Sequence, residues 1–312
     1  MTERKKVGLA LGGGGAKGFA HIGVLKILEK YNIPIDYISG TSVGALIGAL
    51  YSAEPNAKKL EKNSLETDWN EFFDYTLPSK GLIKGEKIEA FLKKKLDDLK
   101  FKDLKIPLFI TTFDIKNKQE VIFHKGDVAR AVRASISIPG IFVPVENNGR
   151  ILVDGGLTDL IPTEILKKEG ADIIIAVNVD SIKEKKPNFD EEASSVNEKK
   201  NVPGIVSTIS KSFQIMEAEA SKAELNRDKA DWVIDIDLED ITTLDFSKIK
   251  EAIKKGEGKA KKSIDKLKKM VEPHPIKELL AEINHLPIVS PVVRGIKKNI
   301  HEVTKDIKEL GK

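Results

Sequence analysis

Three short clusters of residues in this 312-residue chain have the types and spacing that acyl-transfer chemistry needs. The first is Gly40-Thr41-Ser42-Val43-Gly44, a G-x-S-x-G pattern between an extended stretch ending Tyr37-Ile38-Ser39 and an apolar run of good helix formers, Ala45 to Tyr51. Such a strand-to-helix turn lifts a serine hydroxyl out of a sheet's end, and its glycines keep the incoming and outgoing chain close. A small-residue turn with no chemistry has the same composition. The second cluster is Gly12-Gly13-Gly14-Gly15-Ala16-Lys17-Gly18, after the apolar stretch Val7 to Leu11 and before an amphipathic segment, Phe19 to Glu29. Consecutive glycines leave backbone N–H groups free to converge on one anion, and the following helix adds its positive end. Both a phosphate and the oxyanion of a tetrahedral intermediate suit that loop. The third is Asp154-Gly155-Gly156 at the end of Arg150-Ile151-Leu152-Val153, which reads either as a general base at a strand end or as an ordinary Asx turn.

The phosphate reading has a specific form. Gly13-x-Gly15-x-x-Gly18 matches a dinucleotide-binding fingerprint, whose acidic residue would be Asp36. Asp36, however, starts the next strand, whereas a ribose-binding carboxylate belongs at a strand's end. A P-loop fails outright, because Lys17 precedes Gly18 and no Ser or Thr follows. A serine elbow one strand later shifts the balance towards an oxyanion site. The two turns are expected side by side, at the carboxyl ends of adjacent parallel strands.

In this order, "GGGAKG" from Gly13, "GTSVG" from Gly40 and "DGG" from Asp154 resemble the three blocks of the patatin-like phospholipases. Two further stretches are similar to that family: "ASISIPGIFVPV" from Ala134, and the run from Asp154 to Val179. The resemblance spans roughly residues 5 to 250. It implies a Ser-Asp dyad without histidine, Ser42 being the nucleophile and Asp154 the general base. Backbone amides of Gly13, Gly14 and Gly15 would form the oxyanion hole, while Lys17, Gly18, Gly40, Gly44, Gly155 and Gly156 complete the motifs. It also implies an acyl-lipid or phospholipid substrate and no cofactor. The same-fold alternative is a general esterase or lysophospholipase; the different-class alternative is a non-catalytic nucleotide- or phosphate-binding Rossmann-like module. Lys17 stands where arginine is commoner, and Thr158-Asp159-Leu160 where asparagines are frequent.

A Ser-Asp-His triad is the competing arrangement, with His274, His285 or His301 as third member. Those histidines fall in Pro-punctuated helical sequence beyond the last strand. His21 reads as a packed or capping residue and His124 as structural or solvent-facing. With no cysteine and no histidine pair at ligand spacing on a helix, no metal is expected.

To position these turns the chain must alternate strands and helices. Strand-like segments recur at 7–11, 35–39, 106–113, 119–123, 150–153, 171–179 and 231–236, with helical patterns between most of them. This predicts a three-layer α/β/α fold around a largely parallel sheet, with a helical C-terminal extension. Residues 1–272 form the expected catalytic domain and 273–312 the extension. Polar residues 183–202 read as a surface loop, with a lid as the alternative, and 205–223 as a long amphipathic helix.

From residue 241 onward there are 17 Lys/Arg against 10 Asp/Glu, a net of +7 in a chain of net +4. After Ser290-Pro291, apolar residues recur at three and four spacings through Leu310, between lysines 297, 298, 305 and 308. Such a helix can dock on the catalytic domain, form a homodimer seam or lie on anionic lipid as a peripheral membrane contact. Lysines interleaved with glutamates and 6% aromatics argue against nucleic acid. The N-terminus lacks an apolar leader core and no run approaches a membrane span, so a cytoplasmic location, at most peripheral to the inner membrane surface, is expected.

Overall fold

A computed structural model describes residues 4–77, 80–180 and 230–272, together with helical residues 208, 209, 212, 213, 215, 216 and 219. The predicted extension of 273–312, the 183–202 loop and the three late histidines lie outside the described residues.

Among the described residues, eight strands form one sheet: β1 (Val7–Leu11), β2 (Tyr37–Thr41), β3 (Leu108–Asp114), β4 (Gln119–Phe123), β5 (Val145–Asn147), β6 (Arg150–Asp154), β7 (Ile173–Asn178) and β8 (Trp232–Asp235). The order is β5-β6-β3-β2-β1-β7-β8, with β4 paired to β3. The five central strands, β3 to β8 in that order, are parallel. β1 and β7 are buried on both faces, which is why they read as unbroken apolar runs. Side-chain alternation divides them between two cores. Val7, Leu9, Leu11, Ile173, Ile175 and Val177 join one cluster, while Ala10, Ile174 and Ala176 join the other.

The first core is covered by α1 (Ala20–Lys30), α2 (Val43–Ala53) and a later helix. The second is covered by the short α6 (Thr163–Lys168), whose Leu166 is fully buried. Further helices are α3 (Ala57–Glu66), α4 (Glu86–Lys95), α5 (Val128–Ser135) and α7 (Ile249–Val271). α7 buries Ile249, Ile253, Gly256, Ala260, Ile264 and Leu267, a stripe at helical spacing. It crosses α1 at very close range. A Cβ on Gly256 would stand 2.1 Å from the Ala20 carbonyl oxygen, and one on Gly23 2.0 Å from that of Ile253. Lys26 of α1 then pairs with both Glu61 and Glu257.

The sheet departs from a parallel pattern where Asp154 is delivered. β4 takes one edge of β3 over Ile110–Asp114. The other edge is shared end to end: β2 pairs in parallel, with Thr41 opposite Thr111, and β6 follows antiparallel, with Asp154 opposite Thr112. Two strands running towards each other along β3 therefore bring the end of one to the end of the other.

Candidate active site

Ser42 follows β2 directly and caps α2. Its backbone sits at φ 55° and ψ −126°, a region a side chain occupies only when its surroundings enforce it. The elbow closes on glycine: a Cβ on Gly40 would stand 2.6 Å from Gly44, and one on Gly44 2.1 Å from the Leu11 carbonyl oxygen. The Ser42 N–H donates to the Ser135 hydroxyl at 2.8 Å, which donates to the Thr111 carbonyl at 2.7 Å.

Asp154 is fully buried, and its N–H donates to the Ser137 carbonyl at 2.9 Å. The Asx bond of an ordinary D-G turn is present, from Gly156 N–H to Oδ1 at 2.9 Å. It uses one oxygen. Oδ2 is buried and accepts no bond of regular geometry among the described residues. Burial pushes the carboxyl up to about 7, with the Gly156 N–H and then the Ser42 side chain acting in the opposite direction. The serine hydroxyl thus sits close enough to influence the carboxyl without being aligned on Oδ2, as is common before substrate binds.

The glycine loop lies beside the elbow, since β1 and β2 pair in parallel with Leu11 opposite Gly40. Gly18 packs on Val43 so tightly that a Cβ would stand 2.0 Å from its side chain. Gly13 N–H donates to the Leu160 carbonyl at 3.1 Å and Ala16 N–H to that of Thr243 at 2.8 Å. Between these two tethered residues stand Gly14 and Gly15, at φ 140° and 58°. Lys17 turns away from the pocket into a buried ion pair with Asp180 at 2.5 Å, anchoring the loop to the end of β7.

His21 is buried and its Nε2 bonds the Gly12 carbonyl at 2.8 Å. Burial lowers its pKa to about 4, so it is a neutral prop for the loop. His124 is exposed, its ring 6.3 Å from that of Phe109. Asp36 is committed elsewhere: Arg4 donates to both its oxygens and Val7 N–H to Oδ2. It sits at the start of β2, the opposite end of that strand from Ser42, so the dinucleotide fingerprint has no ribose partner in it. Among the described residues, no group of three His, Cys, Asp or Glu is placed to hold a metal ion.

Ser42 opens into a pocket lined by Phe19, Leu46, Trp69, Phe73, Ile138, Phe142, Leu244 and Phe246, with Gly15 at the reactive end. Apart from Ser42 and Thr243, the lining side chains are aliphatic or aromatic. An apolar slot ending at a hydroxyl beside a glycine loop can hold a hydrocarbon chain with an ester carbonyl at its mouth. Arg133 ties the nearby segments together. Buried, it donates to the carbonyls of Gly85, Lys84 and Val143 and to the Ser137 hydroxyl, and burial lowers its pKa to about 10.

The sequence reading found Ser42, Asp154 and the glycine loop; it assigned no role to Ser135, Ser137, Arg133, Trp69 or Thr243. The two serines fall within the "ASISIPG" string, whose two-residue spacing lets one hold the nucleophile's amide and the other that of Asp154.

The sequence profile described as "Patatin-like phospholipase" matches residues 9–167. A protein of Candida albicans named Lysophospholipase NTE1 is 37% identical over 194 residues, 60% of this chain and 14% of that protein. Its namesake in Yarrowia lipolytica is 35% identical over the same length, again 14% of that protein. The chain thus spans a small part of the curated relatives it matches. Among solved structures, VipD from Legionella pneumophila has a similar fold, with a TM-score of 0.58 at 16% identity, covering 85% of this chain and 67% of that one. A profile match over half of the chain, taking in Ser42 and Asp154 alike, establishes that this chain belongs to the patatin-like phospholipase family.

Proposed function

We propose that this chain is a serine acyl hydrolase that cleaves carboxylic ester bonds of phospholipids or lysophospholipids through a Ser42-Asp154 dyad. One observation carries the reading: a serine held in a strained elbow abuts a buried carboxyl whose pKa is raised to about 7 and whose Oδ2 has no regular partner. A carboxyl near its usual value of about 4 would be a weak base for a hydroxyl. Raised to near neutrality it is better matched, because a general base works best with its pKa close to the operating pH.

In the acylation step Ser42 Oγ attacks the ester carbonyl carbon while its proton passes to Asp154 Oδ2. The oxyanion takes hydrogen bonds from Gly14 and Gly15 N–H, at the positive end of α1's preceding turn. Gly13 is set aside as a donor because its N–H is engaged by Leu160. Collapse of the intermediate releases the alcohol, which takes the proton from Asp154, and leaves acyl-Ser42. Asp154 then deprotonates a water that attacks the acyl carbon, and Ser42 regains its proton as the fatty acid leaves. The relatives named lysophospholipase favour a lipid ester as substrate.

A fluorophosphonate probe tests this directly. Labelling of the wild type and none of Ser42→Ala supports the dyad; labelling of both, or of neither, refutes it. Product analysis on a positionally labelled phospholipid, with Asp154→Asn as the inactive comparison, assigns the bond cleaved.

We assign the protein to the cytoplasm, with peripheral contact at the inner membrane surface through the basic segment of residues 290–310. Among the described residues no helix is long and apolar enough to cross a membrane. Reversing Lys297, Lys298, Lys305 and Lys308 to Glu in the full chain should abolish binding to anionic vesicles while turnover of a soluble ester continues. Unchanged vesicle binding, with a change in solution mass instead, would assign that segment to a homodimer.

A further inference from the structure

Trp69 lines two cavities at once. One is the pocket that opens on Ser42; the other is lined by Leu50, Ala53, Leu60 and Phe91 on its apolar side and by polar residues, among them Glu54, Asn56 and Lys59, on the other. α2 runs beside both, with Leu46 facing the first and Leu50, one turn further on, facing the second. At ~1.5 Å of rise per residue, Leu46 lies ~6 Å along the helix axis from Ser42 and Leu50 ~12 Å. The indole stands between them and is fixed. It is 5% exposed, its ring packs edge-on against Phe19 at 4.8 Å and Phe72 at 5.7 Å, and its Nε1–H donates to the Ser64 carbonyl at 2.9 Å.

We propose that Trp69 sets the acyl-chain length that this site accepts. The chain of an ester bound at Ser42 runs along α2 past Leu46 and stops at the indole, and the second cavity is a blocked continuation of the same apolar path. This assignment rests on the serine hydrolase reading. A hydrocarbon tail is the ligand that fits, because the path from Leu46 through the indole meets Leu50, Leu60 and Phe91, and the exposed Glu54, Asn56 and Lys59 stand only at the outer rim of the second cavity.

The test compares kcat/KM over a series of p-nitrophenyl esters, from butanoate to palmitate, for the wild type and Trp69→Ala. The expected result is a rise in the long-to-short ratio, by about fourfold for each methylene that gains the second cavity. Because losing the indole can unfold the chain, Trp69→Leu gives a milder opening and should shift the ratio the same way. Adding Leu50→Phe to Trp69→Ala refills the far cavity and should return the ratio towards the wild-type value. A folded variant whose ratio is unchanged, including one with uniform loss at every length, overturns the assignment. A wild type that hydrolyses no ester and takes no fluorophosphonate overturns the hydrolase reading and this assignment with it. A wild type that turns over esters while the ratio stays fixed removes the role of Trp69 alone.

Discussion

The main-chain N–H of Ser42 is held by the side chain of Ser135, at 2.8 Å, although 93 residues separate them. A nucleophile elbow at positive φ needs such a hold, since nothing in the local chain favours that conformation. Ser135 supplies it from the end of α5 while its own proton is committed to the Thr111 carbonyl, so the hydroxyl is oriented before Ser42 arrives. Ser135→Ala should leave a buried N–H without a partner, at a cost of about 1–3 kcal/mol. We expect a lower denaturation midpoint and a fall in kcat on a soluble ester, with Ser135→Thr recovering both in part. Urea melts and steady-state kinetics on the three proteins check this.

The raised pKa of Asp154 links catalysis to stability. An unfolded Asp titrates near 4 and the folded group at about 7, so the native state binds its proton more tightly. Wild-type stability therefore falls as pH rises from about 4 to about 7, and is level above that for this group. Asp154→Asn removes the burden of a buried charge. It should match the wild type near pH 4 and exceed it at pH 8 by up to about 4 kcal/mol, while losing activity. Equilibrium unfolding at the two pH values measures the difference, and an equal gain at both would contradict the linkage.

The same group should govern the pH–rate profile. Activity is expected to rise through an ionisation near 7 and then hold towards alkaline pH, because Asp154 must be deprotonated to accept the serine proton. A histidine base would give a limb in the same place. Temperature separates them: carboxyl ionisation is nearly athermal, whereas imidazole ionisation is strongly endothermic. A midpoint that stays fixed on warming identifies the carboxyl. His21→Gln should leave that midpoint in place, since burial keeps His21 neutral down to about 4.

Arg133 binds four acceptors from three segments around the pocket. A lysine keeps the charge but presents one ammonium in place of a planar fork. Arg133→Lys should lower stability by at least about 2 kcal/mol and weaken kcat more than KM, through the Ser137 segment that holds the Asp154 N–H. Thermal melts with kcat and KM on one soluble ester check both parts.

The sequence announces the three turns because each must be built from glycine and one polar residue, a composition that packing alone seldom demands. The parallel strands β1 and β7 are equally visible as apolar runs bounded by turn residues. Other features leave no local mark. β5 is three residues long, with no period to detect. The antiparallel entry of β6 depends on which edge of β3 is free, a matter of pairing rather than of any one strand's composition. The engagement of Gly13 by Leu160 comes from a loop 147 residues away, so no reading of the glycine motif could remove it from the donor set. Lys17 looks like an anion ligand in the motif, yet its partner Asp180, two residues past the end of β7, takes the charge inside the protein.

The crossing of α1 and α7 ties the stretch matched by the family profile to what lies beyond it. The profile match ends at residue 167, yet the Ala16 N–H that steadies the glycine loop is held by Thr243, and Leu244 and Phe246 close the pocket. α7, locked onto the helix that follows that loop, keeps this stretch in place. The matched stretch is therefore shorter than the unit that folds: it holds Ser42, Asp154 and most of the pocket wall, and Thr243, Leu244 and Phe246 complete that wall from beyond it. Substitutions at Thr243, Leu244 or Phe246 would therefore reshape one side of the pocket while Ser42 and Asp154 stay in place.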